Sequence, residues 1–215
     1  MIAIPNLIGY SPLRWCKIVD VMLEKSPKDA RILRLRIVAL QESDFNQSNC
    51  LTIGQPVLHS FEDDDAPPDM QYGSRPARQC VSAILNKVLQ WEIQRNSKRA
   101  MVYIENDAIG CYDRIMKPLV LLFLQKMGIT SSELGSLSQT WENTSHNIKT
   151  MYRISDQSYK NTRDYFLYGP GQGSTIGPIL WLICFLLIYK SFTQTSPGMT
   201  FLSVDSIKSG DSSVR

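Results

Sequence analysis

Apolar and polar positions along the chain change period several times, and each change marks an element. Between Ala30 and Leu40, "ARILRLRIVAL" sets Arg31, Arg34 and Arg36 among Ile and Leu near the two-residue period of a strand. Such a strand buries one face and offers guanidinium groups on the other, as a solvated basic surface or an anion-binding one. "FEDDDAPPDM" then places four consecutive acids, Glu62 to Asp65, before Pro67 and Pro68, which predicts a surface loop. Acids in an unbroken row lack the spacing that converges on a cation, so the loop reads as solvated.

From Val81 the period becomes helical. Val81, Ile84, Leu85, Val88 and Leu89 follow the i, i+3, i+4, i+7, i+8 stripe, closed by the polar "QRNSKR". "AMVYI" reads as a strand, and "PLVLLFLQKMG" as a buried helix with Pro118 at its start and Gly128 as its cap. Thr130 and Glu133 have capping-box spacing and predict a helix running through Trp141. "IKTMYRIS" and "YFLYG" predict two hairpin strands separated by the polar "DQSYKNTRD". A buried helix is expected from about Ile176 to Phe192, and in the Ser/Thr/Gly-rich tail only "MTFLSV" reads as a strand. The order of elements predicts an α/β or α+β layer with helices packed on a small sheet.

Composition narrows the class. The chain has 215 residues, 43% of them apolar, enough for a proper core, and its net charge of +3 permits a polyanionic partner without requiring one. Five cysteines, odd in number and without C-x-x-C spacing, argue against a disulfide framework or a zinc cluster and for a reducing intracellular compartment. "MIAIPNLIGY" lacks the basic start of a signal peptide. The longest apolar run, Pro178 to Tyr189, falls short of the roughly 20 residues of a bilayer span, so no membrane partner is expected. His59 and His146 have no ligand-spaced partner in sequence and read as ordinary surface or core histidines.

Two stretches carry chemistry. In "MVYIENDAIGCYDRI" the apolar strand gives way to acids, and Asp107 stands at its end. A carboxylate at a sheet rim either caps the following helix or holds Mg²⁺ for phosphoryl or nucleotidyl transfer, and local spacing leaves both readings open. In "YGPGQGSTIGP" three glycines allow backbone to pass close to a ligand just before a helix, and the Gly-Lys-Ser/Thr ending of a Walker A loop is absent. Its neutral Gln172 suits a sugar hydroxyl or a base better than a phosphate.

Taken together, "QYGSRPARQ", "NDAIGCYDRI" and "GPGQGSTIGPIL" resemble, in order and rough spacing, the reverse transcriptases of non-LTR retrotransposons and group II introns. The resemblance spans about Met22 to Phe192 and implies a right-hand polymerase fold: a fingers-like region over 1–98, a partial palm over 99–192 and a tail over 193–215. It implies that Asp107, with the carbonyl of Ala108, binds two catalytic Mg²⁺ ions. It further implies that Tyr112 lies beneath the incoming sugar and excludes a 2′-hydroxyl, that Gln172 and Gly173 contact the nucleotide, and that Asp113 orients its turn. Arg36, Arg75 and Arg78 would touch nucleic acid, with structural ion pairs the other reading for Arg75 and Arg78. The implied partners are an RNA template, a DNA primer and deoxyribonucleoside triphosphates, in the nucleus or cytoplasm.

Three departures accompany the resemblance. Arg36-Ile37 lacks the proline of the family's Arg-Pro-Ile, and Gly177-Pro178 stands where many members have Ser-Pro. No Asp-Asp follows Phe192; Asp205 is followed by Ser206, and the expectation is that the chain ends before the second metal motif. This stretch alone is therefore expected to be inactive or nearly so, and a non-catalytic nucleic-acid-binding remnant is the alternative.

Overall fold

The computed structural model describes residues 4–29, 31, 34–99, 110–160, 162 and 169–195. It is a mixed α/β structure whose sheet has four strands: β1 (Lys17–Glu24), β2 (Leu35–Leu40), β3 (Ser145–Lys149) and β4 (Ile154–Lys160), in the order β2-β1-β3-β4. β1 pairs antiparallel with β2 and parallel with β3, and β3 pairs antiparallel with β4. The helices are α1 (Ile4–Ile8), α2 (Ser43–Asn49), α3 (Gln55–Asp63), α4 (Cys80–Asn96), α5 (Lys117–Lys126), α6 (Ser131–Glu142) and α7 (Gly177–Thr195), and one π turn, Cys50–Gly54, joins α2 to α3.

Two compact units divide the chain, Met1–Ser60 with Gly110–Cys184, and Phe61–Ile109 with Phe185–Arg215. Each is assembled from two separated stretches. None of the five cysteines forms a disulfide.

The first unit holds the sheet. Strand alternation puts Ile18, Asp20, Ala39, His146 and Tyr159 on one face, because Asp20 pairs with Ala39, Ile18 with His146, and His146 with Tyr159. Ile18, Asp20 and Ala39 are buried. A buried carboxylate is costly without hydrogen-bond partners, and Asp20 Oδ2 accepts a hydrogen bond from the Tyr159 hydroxyl and lies 3.0 Å from His146 Nδ1. The two rings stack with centroids 5.0 Å apart. This network ties β1, β3 and β4 together and gives His146 an acidic partner that sequence spacing does not reveal, since Asp20 is distant in sequence and close across the sheet. Burial and the Asp20 carboxylate push the Tyr159 phenol up from its ordinary range.

Around the sheet, Trp15 packs against Phe45 with ring centroids 5.3 Å apart, and α5 buries Val120 and Leu124 at helical spacing. The capping box appears as expected, with Thr130 Oγ1 accepting from Glu133 N–H and Glu133 accepting from Thr130 N–H. α1 approaches α6 where side chains are small: Ser136 donates to the Tyr10 carbonyl, and the Ser11 and Thr140 hydroxyls are 2.7 Å apart. α7 begins one residue later than predicted and extends to Thr195, burying Leu180, Leu182 and Ile183. At 19 residues it is, among the described residues, the one helix long and apolar enough to cross a membrane, so length does not exclude a span as the shorter sequence run suggested.

Two predicted elements are corrected. The hairpin is formed by 145–149 and 154–160 around a tight turn, so "DQSYK" is strand rather than loop, while residues 165–168 of the expected second strand lie outside the described residues. β4 is an edge strand with mostly exposed side chains, and it therefore lacks the apolar alternation on which the prediction depended. "FED" at 61–63 belongs to the end of α3 rather than to the acidic loop.

In the second unit, Phe61 and Tyr72 are buried and Asn86 Nδ2 donates to the Tyr72 hydroxyl. α4 forms where its period predicted, but Ala83 is its one buried residue among those described, and Val81, Ile84, Leu85, Val88 and Leu89 are all exposed.

Lys117, on the core side of α5 in line with Val120 and Leu124, is 9% exposed, and its ammonium lies 5.8 Å from the centre of the Trp141 ring. Burial lowers its pKa from 10.5 to about 8. The unfolded chain therefore keeps this proton over a window in which the folded chain has released it, and stability rises with pH between about 8 and 10.5. Lys117→Met is expected to stabilise the protein at pH 7 by about 1–3 kcal/mol, because it keeps the volume and removes the buried charge. That gain should shrink as pH climbs through the window; denaturant melts at several pH values would contradict this account if the gain were constant.

Candidate functional site

The glycine-rich segment that precedes α7 is held from several sides. Ala39 N–H, on the outer edge of β2, donates to the Gln172 carbonyl at 2.6 Å, which covers an otherwise open strand edge. Gln41 Nε2 donates to the Pro170 carbonyl at 2.8 Å, and Thr175 Oγ1 donates to the Asn46 carbonyl at 2.8 Å. Gly169 N–H donates to the Ile115 carbonyl at 3.1 Å.

This approach is so close that side chains would block it. Gly169 has φ +75°, and a Cβ there would overlap the carbonyl oxygen of Tyr112. Gly173 has φ +119°, and its Cβ would lie 2.5 Å from the Ala39 carbonyl. The glycines are thus required by backbone crossing between β2 and the short 3₁₀ turn Tyr112–Arg114.

The crossing brings two sequence motifs together. Tyr112, Gly171, Gln172, Gly173, Ser174 and Pro178 line an open recess of about 170 Å³. The Tyr112 ring lies about one van der Waals contact from where a Gly177 Cβ would stand, so the first turn of α7 forms one wall. The Gln172 amide hydrogen-bonds the Asp113 carboxylate. Partial desolvation raises the Asp113 pKa, opposed by that hydrogen bond and by the charge of Lys25, although the residue as a whole remains exposed. The group that favours the charged form of Asp113 is thus Gln172, far away in sequence.

The other expected site residues are placed elsewhere. Arg36 is half-buried on β2 opposite Leu23, and alternation puts it on the opposite sheet face from Ala39, away from the recess. Arg75 is corrected: its side chain is 2% exposed, with Nε and Nη2 donating to both Glu62 oxygens and Nη1 to the Pro67, Pro68 and Gln71 carbonyls. A guanidinium occupied at every nitrogen holds a loop together and offers no face to a phosphate. Arg78 is partly exposed, pairs with Asp69 at 2.9 Å and lies 5.8 Å from the Tyr72 ring. Asp107 and Ala108 lie outside the described residues.

Sequence reasoning missed Ala39, Gln41 and Asn46 as the seat of the turn. Nothing local marks them, since their part is to offer backbone and amide groups to a segment about 130 residues further on.

The recess is smaller than the about 300 Å³ at which complete small-molecule pockets begin, so it suits one ring-sized fragment of a larger ligand. An aromatic face, a glycine backbone and an oriented amide can receive a sugar or a base. Compared with protein-family models and with curated proteins, the chain matches none.

Gly169→Ala is expected to cost more than about 2 kcal/mol, since overlap with backbone adds to an unfavourable φ. Gly128→Ala, at φ +91° with nothing nearby, should cost only about 1 kcal/mol. Equal losses in chemical denaturation would show that the crossing at Tyr112 is not tight.

Proposed function

We propose that the chain is a fingers and partial-palm portion of a reverse transcriptase of the non-LTR retrotransposon or group II intron type, and that the recess receives the sugar of an incoming deoxyribonucleoside triphosphate. The observation that carries this reading is the meeting of Tyr112 with Gln172 and Gly173 in one recess. These are the residues, 60 positions apart, to which the resemblance assigns the nucleotide. Their joint wall is supported by hydrogen bonds to β2, so the ligand meets a shape already formed rather than one it must order.

In this reading the Tyr112 ring closes the space that a 2′-hydroxyl would need, which is discrimination by exclusion. Gln172 orients the sugar or base while its amide is held by Asp113. Mg²⁺, when bound, would stabilise the charge of the triphosphate and lower the barrier to attack by a primer 3′-hydroxyl. Among the described residues no group of three acids, histidines or cysteines converges on a metal position. The metal in this reading rests on Asp107 and Ala108 alone. The template, primer and an intracellular location in nucleus or cytoplasm belong to the same proposal.

Titration calorimetry of the purified chain with dTTP and the matching ribonucleotide, in Mg²⁺, tests it. The deoxyribonucleotide should bind more tightly, and Tyr112→Ala should narrow the preference by about tenfold or more. Gln172→Ala should weaken both ligands, and Asp107→Ala should remove the Mg²⁺ dependence. A preference unchanged by Tyr112→Ala would overturn the assignment of the recess.

A further inference from the structure

The tip of the β3–β4 hairpin presents an unusual surface. Met151 and Tyr152 are each 88% exposed, at turn positions where polar residues are the rule. The turn is nonetheless fixed. Thr150 N–H donates to the Arg153 carbonyl at 2.9 Å, and Thr150 Oγ1 accepts from the N–H groups of Tyr152 and Arg153 while donating to the Arg153 carbonyl. Two large apolar side chains are thus held outward by a preorganised backbone.

Cations accompany them. Lys149 ends β3 three residues before Tyr152, and Arg153 follows Tyr152 and forms a 3.6 Å pair with Asp156 in which both side chains are largely exposed. Further along the same sheet face, Lys17 and Lys160 flank Ser145 in adjacent strands, and both are exposed. Lys149 lies four residues along β3 from Ser145, about 13 Å at strand rise. The β1 and β3 positions of that face between them, Val19, Val21 and Asn147, include no acid, and the acid of β4 in this stretch, Asp156, is paired with Arg153.

We infer that this hairpin is a nucleic-acid contact, with Tyr152 stacking on an unpaired base and the lysines following the phosphates of one strand. A line of cations ending in a rigid exposed ring fits a linear polyanion with stackable bases better than a plane of lipid headgroups, which one tight turn would touch at a point. The surface is separate from the recess and holds whether or not the recess binds nucleotide.

Fluorescence anisotropy of the full chain with labelled 20-mers of oligo(dT) and oligo(U) tests it. Lys149→Glu with Lys160→Glu should weaken binding at least about tenfold and lower the slope of log K against log salt by about 1.4, two phosphate contacts at about 0.7 each. Tyr152→Phe should retain affinity and Tyr152→Leu should lose about tenfold, because stacking needs the ring. These exposed changes should leave the melting temperature and dTTP binding unaltered, which separates failure here from failure of the recess. The inference is overturned if the double variant binds like the parent or if Tyr152→Leu does. It is equally overturned if the variants lose affinity only for phosphatidylserine vesicles.

Discussion

The hydrogen bond from Ala39 N–H to the Gln172 carbonyl is the constraint on which the candidate site depends. It exists because β2 is an edge strand with an outward N–H to satisfy, and because Gly171 and Gly173 let the turn come within reach of it. Once the turn is seated there, Gly169 must cross Tyr112 and Gly177 must face the tyrosine ring. The recess is a by-product of satisfying a strand edge with a glycine-rich segment, which explains how a small open site acquires a defined shape.

The same sheet carries costs that a purely apolar one would avoid. Asp20 is 1% exposed, and it is held by His146 and Tyr159 from the two strands on one side, while Ala39 lies beside it on the other. A neutralised or apolar substitute at position 20 would leave those partners unsatisfied, so the network acts as a register lock across β1, β3 and β4. Lys117 differs, since its desolvation dominates and the protein bears it as a liability. One buried polar side chain is structural, the other a destabilising remainder.

How much could be read from sequence follows from how local each signal was. The alternation at 35–40, the helix from Lys117 with its proline start and the Thr130–Glu133 box depend on near neighbours, and they are present. The apolar stripe of α4 correctly announced a helix, but periodicity reports which face is apolar and not whether anything covers it. β4 was misread because an exposed edge strand needs no apolar alternation, and its pairing with β3 supplies the order instead. Arg75 was ambiguous for the opposite reason: its burial comes from Glu62 and three loop carbonyls, which a motif match does not weigh. Of the residues that share the recess, Tyr112, Gln172 and Gly173 stand out in the sequence, while the β2 seat that unites them does not.

Native-state hydrogen exchange at the Ala39 amide tests the central claim most directly. An outward N–H on an edge strand exchanges almost freely unless something bonds it. The seated turn predicts protection approaching that of the β1 amides, together with its loss when Gly169→Ala displaces the crossing. Exchange of the parental Ala39 amide near its unprotected rate would contradict the seat and, with it, the recess built upon it.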